Sequence, residues 1–100
     1  MYYELSVIDF KEENYKGLID SLNENGIQCE LNNNQGKNMF DQQTVDAVLT
    51  FSSNVAAGVL AGVILNAIGK AHTMYINRRK LKANSAEDVK KVIDDINKEL

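Results

Sequence analysis

The chain opens on alternation. Between Tyr2 and Asp9, the residues Tyr3, Leu5 and Val7 fall on one side and Glu4 and Ser6 on the other, the period of a half-buried strand. The period then lengthens. Tyr15, Leu18, Ile19 and Leu22 recur at i, i+3, i+4 and i+7, one apolar stripe of an amphipathic helix. Asp9 followed by Glu12 has the spacing of a capping box and predicts where that helix begins. Gly26 predicts where it stops, because glycine takes the left-handed conformation past a helix end freely. "IQCEL" alternates again, with Ile27, Cys29 and Leu31 set against Gln28 and Glu30. Residues 2–31 thus read as strand, helix, strand, and a parallel pairing of those strands would require a right-handed crossover. Asn32–Asn38 reads as a polar loop.

The next stretch, "MFDQQTVDAVLTFSSN", fits two periods. Val45, Ala47, Leu49 and Phe51 alternate as a strand does, whereas Val45, Val48 and Leu49 also fit a helix. Asp41 as a cap and the lack of a turn signal from Gln43 to Phe51 favour the helix, with a break or fresh cap at Ser52–Asn54. "NVAAGVLAGVILNAIGK" follows, with eleven apolar or glycine residues from Val55 to Leu65, and predicts a second helical piece ending near Gly69. "HTMYINRRKLKAN" predicts a hairpin that sets Met74 and Ile76 against Leu81 and Ala83 about a turn near Asn77–Arg79, whose type is left open by the lack of glycine. Ser85 with Asp88 opens the last helix, and Val89, Val92, Ile93 and Ile96 make its buried face. Its outer face sets Glu87–Lys91, Lys90–Asp94 and Asp94–Lys98 at i, i+4, each pair contributing about 0.3 kcal/mol. The expected class is α+β: a small mixed sheet packed against helices in the order β-α-β-α(α)-β-β-α, one domain over residues 1–100.

Composition narrows the function. One hundred residues support one hydrophobic core but no large enclosed substrate cavity. A net charge of -3 gives no global attraction to nucleic acid or membrane. The single cysteine, Cys29, allows no internal disulfide and suits a reducing cytosol. "MYYELSVIDF" has no basic region followed by an apolar run, so it is not a signal peptide, and a cytoplasmic location is expected. A membrane span needs about 20 apolar residues. Extending Val55–Leu65 back to Ala47 and on to Ile68 brings in Thr50, Ser52, Ser53, Asn54 and Asn66, so a core helix is the better reading. "GVILNAIGKA" is not a phosphate loop: six residues separate its glycines and Ala71, not a hydroxyl residue, follows Lys70. Cys29 and His72 are the only cysteine–histidine pair available for nucleophilic chemistry. Cys29 lies on an apolar strand face and His72 at a helix-to-strand junction, and no Cys/His cluster has zinc spacing. No enzyme activity, catalytic residue, metal or cofactor is expected.

Two features point to binding instead. Gly58 and Gly62 form a GxxxG pair, flanked at the same four-residue step by Asn54 and Asn66, roughly along one side of the helix. Ala57 and Ala61 form a parallel row. Each glycine costs about 1 kcal/mol of helix propensity against alanine, which invites a packing reason. Small residues let another backbone approach, either from this chain or from a partner or second copy. The second feature is charge segregation. Lys70–Asn84 holds five basic residues and no acidic one, whereas Met1–Gly69 holds three basic and nine acidic. Arg78, Arg79, Lys80 and Lys82, with Tyr75 to stack, have the makings of a phosphate contact. Basic side chains also protect an edge strand from pairing.

The order of elements resembles that of the bacterial effector-associated constant component domains. The hairpin and helix in "MYINRRKLKANSAEDVKKVIDDI" carry the resemblance, supported by "NNNQGKNMFD" and the Gly58–Gly69 helix. The turn departs from the Asn-Gly usual in such hairpins, since Arg78 follows Asn77. The resemblance implies a non-catalytic component of bacterial conflict systems that associates with effector proteins, and carries no catalytic residues over. The leading expectation is a small protein-binding module, an adaptor, immunity protein or inhibitor in a bacterial or phage conflict setting. Its expected interface is Asn54, Gly58, Gly62 and Asn66 with Arg78, Arg79, Lys80 and Lys82, and its expected partner is another protein, an effector, or a second copy through the Gly58/Gly62 helix. The competing readings are a nucleic-acid module using the basic hairpin of residues 70–84 and a membrane-associated component inserting the helix of residues 55–68. Nucleic-acid binding would weaken steeply with salt.

Overall fold

The computed structural model describes residues 2–33, 38–40, 43–44, 47–69 and 72–99. In chain order the elements are β1 (Tyr2–Val7), a 3-10 turn (Glu12–Asn14) leading into α1 (Tyr15–Glu24), β2 (Cys29–Asn33), β3 (Asn38–Phe40), β4 (Gln43–Thr44), β5 (Ala47–Ser52), α2 (Ala57–Ile68), β6 (His72–Ile76), β7 (Arg79–Ala83) and α3 (Ala86–Lys98). Five strands form one sheet in the order β2-β5-β1-β6-β7, and β3 pairs with β4 separately. The expected α+β class holds, and the expected element order holds roughly, with β3, β4 and β5 standing between β2 and α2 where a first helical piece was expected. The expected mixed sheet is antiparallel throughout its ladders. β1 and β2 do run in the same direction, but β5 sits between them. Likewise β5 and β6 run together with β1 between. The units β1-α1-β2 and β5-α2-β6 therefore interleave, each split open by a strand of the other, which is the ferredoxin-like arrangement. β7 and α3 extend it.

One face of the sheet carries the core. Tyr3, Leu5 and Val7, Ala47, Leu49 and Phe51, and Met74 and Ile76 meet Tyr15, Leu18, Leu22, Leu60, Ala61, Ile64, Ile68, Val89, Ile93 and Ile96 in one buried cluster. Each fully buried Leu or Ile side chain there contributes about 1.5–3 kcal/mol. α2 lies between α1 and α3 and packs against both. The sheet's other face also has buried residues at its centre: Ser6, Val48 and Tyr75 are 1%, 9% and 2% exposed.

Helix ends follow the sequence closely in two places. Gly26, at φ 78°, closes α1 as anticipated: its N–H donates to the Asn23 carbonyl, and the Ile27 N–H donates to that of Leu22, a Schellman pair. Ser85 caps α3, its Oγ accepting the Asp88 N–H at 3.2 Å. Asp9 is not a cap. It sits at φ 58° in the turn after β1, and the 3-10 turn starts later with Lys11 at its N-cap. The helix expected around residues 44–53 is the strand β5 at 47–52. Asn32 and Asn33 belong to β2 and Asn38 to β3 rather than to a loop, while Asp41 lies outside the described residues.

The upper end of the sheet is joined by a side chain. The ladder between β1 and β5 runs from Tyr2–Ser52 to Leu5–Leu49. Beyond it the Tyr15 hydroxyl enters, accepting the Val7 N–H at 2.9 Å and donating to the Ala47 carbonyl at 3.2 Å. Tyr15 is fully buried, and Phe10 meets its ring edge-on at 4.9 Å. The first residue of α1 is thereby locked to both central strands.

Candidate protein-binding surface

α2 contains no charged residue in its twelve positions. Its inner face is full: Leu60, Ala61, Ile64 and Ile68 are buried. On a helical wheel the opposite side is Val59, Gly62 and Asn66, with Gly58 and Val63 at its margins. Val59 is 54% exposed, one of two large hydrophobic residues so exposed among the described residues. Sequence reading passed over Val59, because an unbroken apolar run carries no polar marker to separate outside from inside.

The glycines answer the packing question raised above. Among the described residues, a Cβ at Gly62 would meet nothing within 4 Å. A Cβ at Gly58 would meet only the aliphatic stem of Lys90 on α3, at 3.6 and 3.7 Å, an ordinary contact. Lys90 is held by Asp94 one turn on, at 2.8 Å. Among the described residues, nothing packs so closely on either position that it requires a glycine. Asn66 stands exposed on the strip. Asn54 does not belong to it: it precedes the helix, in the connection from β5, where the Ser53 Oγ accepts the Val55 N–H at 3.0 Å.

The hairpin residues are dispersed rather than gathered. Ile76 pairs with Arg79 and Met74 with Leu81, so the turn is the two residues Asn77 and Arg78. Both have positive φ, 49° and 70°, which makes it type I′. Asn77 clamps it to β1. The Asn77 side-chain carbonyl accepts the Glu4 N–H at 2.7 Å, and its backbone N–H donates to the Glu4 carbonyl at 2.8 Å. Strand alternation then splits the basic run. Arg79 points to the helical side and pairs with Glu99, whose carboxylate holds the guanidinium still more firmly protonated. Lys80 and Lys82 point to the other face, opposite Tyr75 and Thr73. Arg78 is exposed at the turn. Tyr75 is buried and is not placed to stack on a base.

The cysteine and histidine do not meet. Cys29 is on β2 and His72 on β6, three strand spacings apart, about 14 Å at about 4.8 Å each. Burial raises the Cys29 thiol above its ordinary 9.0, and its Sγ lies 3.8 Å from the Ile27 carbonyl. His72 meets the Phe10 ring edge-on at 5.7 Å. Among the described residues no group of His, Cys, Asp and Glu is placed to hold a metal ion. Among the same residues, no helix is long and apolar enough to cross a membrane. Compared with known family profiles, curated proteins and solved structures, the chain matches none of them significantly.

Proposed function

We propose that this chain is a non-enzymatic protein-binding module that docks on another protein through the outer strip of α2, Val59, Gly62 and Asn66. The observation that carries the reading is the pair of helix glycines. Each costs about 1 kcal/mol of propensity, and the space beside them is open or nearly so in the chain itself. A partner backbone approaching the strip would use that space, with Val59 entering the partner's surface as an apolar anchor. The resemblance to effector-associated domains makes a bacterial effector the partner class, the chain acting in the cytoplasm as adaptor, immunity or inhibitor component.

The test compares wild type with Val59→Lys. An exposed substitution of this kind moves stability by about 0.5 kcal/mol or less. The partner is captured from host extract, identified, purified, and titrated against wild type, Val59→Lys and the doubly neutralised Lys80→Ala/Lys82→Ala. Val59→Lys should weaken binding about tenfold or more, while the lysine variant binds as wild type. Equal binding by Val59→Lys and wild type, or binding that fails only in the lysine variant, refutes the strip.

A further inference from the structure

The two edges of the sheet are built differently. β7 carries Arg79, Lys80 and Lys82, and α3 packs back against it. β2, "CELNN", has no basic residue and no proline, and its register against β5 runs unbroken from Cys29 to Asn33. The basic side chains that blunt an exposed edge are thus confined to β7.

The ladder fixes which groups β2 offers. Tyr15 bridges the Val7 N–H to the Ala47 carbonyl, so residues 47, 49 and 51 of β5 turn their main-chain groups toward β1. Residues 48 and 50 then face β2, where Val48 pairs with Asn32 and Thr50 with Glu30. Cys29, Leu31 and Asn33 therefore point their N–H and C=O groups outward, with no strand beside them among the described residues.

We infer that this edge pairs with the same edge of a second copy, antiparallel, with Leu31 on the two-fold axis. That register uses all three outward residues: Leu31 against its own copy, and Cys29 against the partner copy's Asn33 in both directions. It also sets Glu30 opposite Asn32, whereas a two-fold at Glu30 would oppose like charges. Beside the edge, on the helical side, lies an open groove of about 690 Å³ lined by Leu31 with Lys11, Glu12, Glu13 and Lys16. Two lysines and two glutamates make that lining self-complementary, as an isologous interface requires. A partner of uniform charge would meet as much repulsion as attraction there. This inference is independent of the α2 strip.

The register predicts a specific cross-link. In a hydrogen-bonded antiparallel pair the Cα atoms are about 5.5 Å apart, within the disulfide range of roughly 4.4–6.8 Å. Asn33→Cys should therefore join native Cys29 of the second copy under mild oxidation, doubling the mass from 11.2 kDa on a non-reducing gel. The same variant with Cys29→Ser should not cross-link, nor should Lys80→Cys at the other edge. Because a cross-link traps even rare encounters, light scattering at high micromolar concentration supplies the second measurement. Wild type should show twice the monomer mass. Glu12→Lys/Glu13→Lys and Lys11→Glu/Lys16→Glu should each be monomeric alone and dimeric when mixed. A monomeric wild type overturns the inference, as does a dimer indifferent to these charges, one lost only in Val59→Lys, or one that leaves Asn33→Cys uncross-linked.

Discussion

Gly62→Ala adds one methyl group at the centre of the α2 strip, and the structure sets the sign of its effect. None of the described residues lies within 4 Å of the new Cβ, so no clash and almost no burial accompany it. What remains is helix propensity, about 0.8–1 kcal/mol in favour of alanine. For a domain of 100 residues, 1 kcal/mol moves Tm by about 4–8 °C, so the variant should melt roughly 4 °C higher or more. Gly58→Ala should do about the same, since Lys90 Cε stands 3.6 Å away at the end of a flexible stem. The double variant should approach about 2 kcal/mol, the sum of two helix-propensity terms. Urea unfolding at low protein concentration measures this directly: the midpoint rises while the m-value stays fixed. The same variants should bind the partner less well, since the methyl groups occupy the space its backbone needs. A lower midpoint for either variant would mean that the chain's own packing demands the glycine, and the argument for an external partner would fall with it.

Three further outcomes follow from the geometry. Tyr15→Phe removes the hydroxyl that joins Val7 to Ala47 and leaves two buried main-chain groups unpaired, so unfolding should become easier by about 1–3 kcal/mol in urea. Arg78→Gly relieves a left-handed side chain at φ 70° and should raise stability by about 1 kcal/mol in the same assay. Burial raises the Tyr3 phenol above its ordinary 10.0, and its hydroxyl donates to the Asn97 Oδ1 at 3.4 Å. The fold thus favours the neutral phenol: its contribution is whole below about pH 10 and is lost as pH climbs from there through the raised value. Urea midpoints across that window should fall less steeply in Tyr3→Phe than in wild type.

What was legible in the sequence depended on how many sides of an element are buried. α3 has one buried side, and Val89, Ile93 and Ile96 with the Ser85 cap gave it away. β1 and β2 alternate because one of their faces is more polar. β5 alternates only from Leu49 onward, because Ala47, Val48 and Leu49 at its start are all buried. A run apolar on both faces loses the period of two and fits a helix equally well. The strand–helix–strand opening was legible, but which strand lies beside β1 was not: no local signal tells β1 that β5, not β2, is its neighbour. At the candidate site the small residues were visible as spacing, whereas the value of Val59 was not, since only the packing of α1 and α3 shows which side of α2 is left open. The basic hairpin erred differently. The charge block was evident in composition, but the alternation that sends Arg79 to Glu99 and the lysines to the other face belongs to the strand.

The two proposed surfaces bear on each other. In an edge-paired dimer with Leu31 on the axis, both Leu31 side chains lie on the helical side of a continuous sheet. The two-fold is then perpendicular to that sheet, and both helical layers face the same way. α2 is the middle helix of each layer, so the two outer strips would be presented side by side rather than back to back. A partner that is itself dimeric, or repeated on a larger assembly, would meet two sites at once, and its second contact would be intramolecular. Linked sites of this kind strengthen binding by about 10²–10⁴-fold without any new contact. Dimer-breaking charge changes at Glu12 and Glu13 would then lower affinity for a multivalent partner while leaving affinity for a monovalent one untouched, although neither residue lies on the α2 strip. A partner titrated in both forms separates the two surfaces: Val59→Lys should weaken both, and Glu12→Lys/Glu13→Lys only the multivalent one.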